Sequence, residues 1–229
     1  MNRCSHCQRK RKPLIQFEYC ELTLCRNCFK RLIETRIKKN IKTFGPLNKG
    51  DILYLKGLTL SKKIAYHALS KIFDFRFIDI KKTVPKNLNN LSVLKTTGKI
   101  GISSKFNKRQ IICITDSLEE TSHKIIEHIF KGSKIGSYPK TDASDSLSKT
   151  SKFAQTIFLF CDIPYEELIA YSKIEELEFD NCQIKEFKSK INVAIKESIM
   201  FRSLNPCKKE LFGLISSFKK INTLLKEKK

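Results

Sequence analysis

The chain has 229 residues, 41% hydrophobic and 30% charged, a balance that suits a folded protein with one sizeable core plus a small appendage and excludes a disordered polyelectrolyte. Its net charge of +22, from 45 Lys and Arg against 23 Asp and Glu, points to a polyanionic partner, nucleic acid before an acidic membrane surface, although a composition rich in Lys, Ile, Asn and Phe accounts for part of it. The start, MNRCSHCQRKRK, has no apolar segment of a secretory signal, and no apolar run approaches the ~20 residues that cross a bilayer, so the expectation is a cytoplasmic protein with no membrane partner.

The first element is a pair of knuckles, Cys4-Ser5-His6-Cys7 and, seventeen residues later, Cys25-Arg26-Asn27-Cys28. Each C-x-x-C turns tightly enough to aim two thiolates at one ion, and the intervening segment folds back to join the pairs. The expectation is one structural zinc on Cys4, Cys7, Cys25 and Cys28, with His6 and Cys20 as spare ligands outside the paired spacing. Four protein ligands leave no open position for water, so such a metal holds structure and performs no chemistry. The competing readings are a disulfide pair or free thiols, and a disulfide lacks support because nothing marks the chain as secreted. Cys113, Cys161, Cys182 and Cys207 show no paired spacing and read as buried or free thiols.

Residues 29–42 follow as a basic amphipathic helix: Leu32, Ile33, Ile37 and Ile41 form one stripe, with Lys30, Arg31, Arg36, Lys38, Lys39 and Lys42 around it. Arg36, Lys38, Lys39 and Lys42 are the candidate RNA-binding set; the plainer reading is a solvated helix face. Gly45-Pro46 breaks the helix and divides the chain into 1–45, finger and helix, and 46–229.

The remainder alternates strand and helix. Strands are expected at Ile52–Leu55, Phe75–Ile80, Ile111–Thr115 and Thr156–Phe160. Helices are expected at Ser61–Phe73, from Leu118 to a stop at Gly132, from Pro164, and from near Pro206 to the charged tail. Residues 81–98 read as a loop with some local structure, and 133–155, rich in Ser, Lys and Asp, as a mobile loop. This alternation predicts an α/β fold with a parallel sheet, whose ligands sit at the carboxyl ends of the strands. His67, His123 and His128 fall on helices; His123 and Glu127, four apart, are weak evidence for a metal or a base.

The turn after the strand at 52–55 reads Lys56-Gly57-Leu58-Thr59-Leu60-Ser61. It resembles the S-G-G-x-D-S loop of PP-loop ATPases that modify tRNA, with only Gly57 and Ser61 kept. Lys56 stands for the first Ser, Leu58 for the second Gly and Leu60 for the Asp. Leu58 blocks the close approach of backbone N–H groups to phosphates, and Leu60 lacks a carboxylate. The finger, the basic helix and Gly50-Asp51 before a strand resemble the start of cytosolic tRNA thiolase subunits. IICITDSLEETSHKIIEHIFKG resembles a later segment of theirs, with Thr115 and Asp116 in place of Gly-His, and CDIPYEELIAYSKI resembles another near the end of that domain. The C-x-x-C that catalytic thiolases commonly carry in the body of the domain is missing.

A finger and thiolase-like domain with a broken loop is similar to the cytoplasmic tRNA 2-thiolation protein 2 family, the non-catalytic partner of the eukaryotic thiolase; the chain is shorter than that family's usual length, as a reduced form would be. The resemblance implies a PP-loop α/β domain with a degenerate nucleotide loop behind a zinc finger, no bound ATP, and a heterodimer with the catalytic subunit. It further implies tRNA as partner, a ubiquitin-like sulfur carrier acting indirectly, and wobble 2-thiouridine in Lys, Glu and Gln tRNAs as the product. Two other readings stay open: a diverged active ATP-dependent thiolase using Lys56, Ser61 and Asp116, and a zinc-finger nucleic-acid-binding protein with an unrelated α/β domain.

Overall fold

In the computed structural model, which describes residues 3–9, 14–17, 19, 22–45, 47–73, 78–82, 109–130, 154–178, 185, 189 and 208–227, the first regular element is a hairpin. β1 (Leu14–Phe17) pairs antiparallel with β2 (Leu22–Cys25), Leu14 opposite Cys25 and Phe17 opposite Leu22. α1 (Arg26–Phe44) starts at once, with Cys25 as its N-cap residue, and ends at Gly45, whose φ of 152° favours a residue without a Cβ. The helix begins three residues before the expected 29, so Cys28 lies in its first turn. Phe29, Ile33, Ile37, Ile41 and Phe44 recur every three or four residues and form its buried face.

Four parallel strands make the sheet: β3 (Ile52–Lys56), β4 (Asp79–Lys81), β5 (Gln110–Ile114) and β6 (Ala154–Phe158), in the order β4-β3-β5-β6. β3 and β5 are apolar at successive positions, as strands covered on both faces must be, and Leu53, Leu55, Ile111 and Cys113 are each at most 1% exposed. Around the sheet pack α2 (Thr59–Ile72), α3 (Leu118–Phe130), α4 (Tyr165–Ile174) and α5 (Lys208–Glu227).

Boundaries differ from the sequence reading where the local pattern is ambiguous. The strand expected at 75–80 is found at 79–81; it is an edge strand held by three residue pairs to β3, and 74–77 lie outside the described residues. α2 begins at Thr59 rather than Ser61 because Leu58 already serves as its N-cap residue. β6 starts at Ala154, two residues before the expectation, and its pairing ends at Ile114 opposite Phe158, after which the chain bends. Pro164 is the N-cap residue of α4, just outside the first turn. Of the loops expected at 81–98 and 133–155, Lys81 belongs to β4 and 154–155 to β6, while 83–98 and 133–153, together with Cys20, Pro46, Gly132, Cys182, Pro206 and Cys207, fall outside the described residues.

The finger helix shares the sheet's core. Phe44 of α1 meets Phe158 of β6 at 5.1 Å between ring centroids, and Phe218 of α5 stands edge-on to Phe158 at 5.8 Å. Below them a buried polar link joins three elements: Asn40 Nδ2 donates to Leu159 O (3.0 Å) and Asp162 Oδ1 (2.6 Å), while Lys219 Nζ reaches Asn40 Oδ1 (2.6 Å) and Asp162 Oδ2 (2.8 Å). At the hairpin end, Tyr19 stacks on Phe212 of α5 at 5.8 Å and Phe17 packs on Phe29 at 5.4 Å.

Candidate functional site

Local geometry gathers the four finger cysteines. The first knuckle turns through Gln8, at φ 58°, with Gln8 N donating to Cys4 O (2.9 Å), and it is tied to β2 by Ser5 N to Thr23 O (2.8 Å) and Thr23 N to Ser5 Oγ (3.2 Å). The second knuckle is the entry to α1 itself, with Cys25 as N-cap residue and Cys28 in the first turn. The Sγ atoms of Cys4, Cys7, Cys25 and Cys28 all lie within 4.8 Å of one another, and Cys7 to Cys25 is 3.8 Å. Cys25 N donates to Cys4 Sγ at 3.3 Å.

Their acidities diverge. Burial pushes the Cys4 thiol up, but N–H groups of Cys7, Cys25 and His6 outweigh it and bring it down to about 6. Burial and the neighbouring Cys25, Cys7 and Cys4 push Cys28 up to about 12. Four thiols this close therefore ionise together only around a cation, and the quartet could hold one metal ion. His6 Nδ1 stands 3.8 Å from Cys28 Sγ, beside the quartet rather than in it. Among the described residues no other group of three or more His, Cys, Asp or Glu side chains converges, so His123 and Glu127 gain no third ligand.

α1 divides its cations between two faces. Arg26 donates to Ile174 O and to Glu176 (2.9 Å), Lys30 pairs with Glu175 (2.5 Å), and Arg36 pairs with Glu167 (2.7 Å), a carboxylate only 1% exposed. The Arg36 guanidinium also lies 5.9 Å from the Phe212 ring centroid. Glu175 further receives Lys71 and His67 Nε2 (2.8 Å) of α2. Burial first, then Lys71 and Lys30, hold His67 below the ordinary histidine range, so its neutral ring donates to Glu175. These contacts clamp α1, α2 and α4 together. Lys38, Lys39 and Lys42 of the sequence-derived RNA set, and Arg31 with them, are instead exposed and have no side-chain partner among the described residues. Sequence reasoning missed this split; helical position separates Arg36 from Lys38 and Lys42 by more than a quarter turn and was the signal available.

The phosphate-type turn lies where the chain's path through the sheet reverses: β3 leads outward to β4 on one side, and the chain returns to β5 on the other. In open α/β sheets ligands bind at this switch point. Here it is filled. Thr115 N and Oγ1 both donate to Lys56 O (2.9 and 3.2 Å), and a Cβ on Gly57, at φ 151°, would lie 2.2 Å from Thr115 Oγ1. Lys56 is exposed, Leu60 is 2% exposed, and Ser61 is fully buried with no partner for its hydroxyl among the described residues. On the β5 side Asp116 is buried against Lys124 (2.5 Å). Ser117 and Glu120 form a reciprocal cap on α3, Ser117 N to Glu120 Oε2 at 2.9 Å and Glu120 N to Ser117 Oγ at 3.4 Å. Glu119 accepts Tyr165 N at 3.0 Å and so caps α4. Two helix N-termini that could receive phosphate thus already hold the chain's own carboxylates.

No family model matches the chain, and no curated protein matches it in sequence. Its fold does match solved structures. Among them is the U34-tRNA thiolase NcsA from Methanococcus maripaludis with its 4Fe–4S cluster, at a TM-score of 0.54 and 13% identity over 95% of this chain and 87% of that one. The class defined by the fold is therefore an α/β protein with a parallel sheet like that of a PP-loop tRNA thiolase, carrying an N-terminal cysteine cluster that could bind a metal. Among the described residues no helix is long and apolar enough to cross a membrane.

Proposed function

We propose that this chain is a non-catalytic subunit of a cytoplasmic tRNA thiolation complex, in which it grips tRNA and stabilises a catalytic thiolase subunit as a heterodimer. The complex places 2-thiouridine at the wobble position of Lys, Glu and Gln tRNAs, with sulfur reaching the catalytic partner from a ubiquitin-like carrier. The observation that carries this reading is a thiolase-like fold over 95% of the chain whose phosphate turn reads Lys56-Gly57-Leu58-Thr59-Leu60-Ser61, with Gly57 set against Thr115. Leu58 and Leu60 stand where the loop needs a glycine and a carboxylate, so no ATP is expected there.

The metal in this reading is structural zinc on Cys4, Cys7, Cys25 and Cys28. Sulfurs at about 2.3 Å from one zinc lie about 3.8 Å apart, in keeping with the 3.8 Å between Cys7 and Cys25. A 4Fe–4S cluster spreads its cysteines over separate irons and needs them farther apart. Bound there, the ion would tie the first knuckle to the N-terminus of α1 and leave no position open for catalysis.

Co-purification from native extract, with mass spectrometry of bound protein and RNA, tests the role. A PP-loop thiolase subunit together with tRNA supports it; recovery of neither contradicts it. One observation favours the diverged active thiolase instead: Lys56 is exposed at the end of β3 and the Ser61 hydroxyl has no partner among the described residues. Calorimetric titration with Mg-ATP separates the two, since micromolar affinity would establish a nucleotide site.

A further inference from the structure

We infer that the outward face of α1 grips the sugar-phosphate backbone of duplex RNA, independent of base sequence, through Arg31, Lys38, Lys39 and Lys42. At 100° per residue, Arg31, Lys38 and Lys42 fall within about 40° of one another and span about 16 Å along the helix. All four side chains are exposed and, among the described residues, have no partner, whereas Arg26, Lys30 and Arg36 on the same helix are each committed to an acid of the α4 segment. Cations without a partner on a rigid rod are a surface for repeated negative charge.

The rest of that face selects among polyanions. Between and beside the cations stand Asn27, Glu34 and Thr35, with no aromatic residue. Proteins that hold single-stranded RNA stack its bases on aromatic rings, so this face lacks what a splayed loop requires. Helices that lie on anionic membranes insert an apolar face, and the apolar face of α1 (Phe29, Ile33, Ile37, Ile41, Phe44) is already buried in the core. A regular phosphate backbone needs neither bases nor an apolar face. On the proposed role in thiolation, on which the identity of the RNA rests, α1 would hold a helical arm of the tRNA and leave the loop uridine to the catalytic subunit.

The test uses the full chain with its metal and measures binding by fluorescence anisotropy. The probes are two RNA duplexes of unrelated sequence, an oligouridine strand of the same length, and phosphatidylserine vesicles. The duplexes should bind equally, and about tenfold or more tighter than oligouridine. Replacing Arg31, Lys38, Lys39 and Lys42 together by Gln should abolish that preference and reduce the slope of log affinity against log salt by about 3, as four lost phosphate contacts require. Lys38→Arg, Lys39→Arg and Lys42→Arg together should retain both, which guards against a folding defect in the Gln variant. Preference for oligouridine or for vesicles, or an unchanged slope in the Gln variant, overturns the inference. Loss of the partner subunit by that variant with duplex binding intact also overturns it, because the face would then be a protein interface. If thiouridine depends on the chain but duplex binding does not use this face, the inference alone fails. If the face binds duplex and thiouridine is independent of the chain, the functional reading alone fails.

Discussion

Gly57 and Thr115 meet at the switch point of the sheet so closely that a Cβ on Gly57 would lie 2.2 Å from Thr115 Oγ1. The glycine is also held at φ 151°, where L side chains are strained. Gly57→Ala should therefore destabilise the chain by about 2–3 kcal/mol, from backbone strain together with the clash. Thr115→Ala in the same chain should recover part of the loss by removing Oγ1, leaving the backbone strain. Thermal melts of the two single variants and the double variant give the non-additivity that this contact predicts.

The cysteine quartet should hold one metal ion per chain. The Cys25→Ser, Cys28→Ser double variant should lose it, and with it the tie between the first knuckle and α1. Elemental analysis before and after chelation checks the stoichiometry. The melting temperature of wild type should fall on chelation, and that of the variant should not move.

The two faces of α1 should separate in stability measurements. Arg36→Ala removes the guanidinium from Glu167, which is 1% exposed, and should cost about 2–3 kcal/mol. Lys38→Ala, at an exposed position, should change stability by no more than about 0.5 kcal/mol. Urea denaturation at fixed salt distinguishes them.

Glu120 should make stability fall with rising pH in a defined window. Burial first, and then Asp116, push its carboxyl up from 4.5 to about 7. The unfolded chain loses that proton at lower pH than the folded one, so the favourable contribution is complete below about pH 4.5 and is lost as pH rises through about 7. Glu120→Gln keeps an acceptor for Ser117 N and removes the titration. Denaturation at pH 5 and pH 8 should show a smaller decline for the variant than for wild type.

What was readable in advance follows from how local each signal is. The quartet was legible because ligand spacing is itself a sequence pattern, and β3 and β5 because strands covered on both faces carry continuous apolar runs, here 52–55 and 111–114. The bounds of β4 were hard to read because an edge strand carries little pattern, with Asp79 and Lys81 exposed around a half-buried Ile80. The Gly57–Thr115 approach depends on β3 and β5 being neighbours although β4 lies between them in sequence, and nothing local encodes that order. The placement of Arg36 was hidden for the same reason, since Glu167 lies 131 residues away. Arg31, by contrast, was within reach of a helical wheel. The cap formed by Ser117 and Glu120 was equally visible as an S-x-x-E pattern ahead of an apolar run.

The content of wobble 2-thiouridine in Lys, Glu and Gln tRNAs, measured by mass spectrometry of nucleosides from cells with and without this chain, tests the account most directly. A thiolase scaffold that serves a catalytic partner predicts that thiouridine disappears when the chain is removed. On the proposed non-catalytic role it should return equally with the wild-type chain and with a Lys56→Ala, Ser61→Ala variant. Thiouridine undiminished without the chain would contradict the role, and restoration by wild type but not by a stably folded variant would contradict its being non-catalytic.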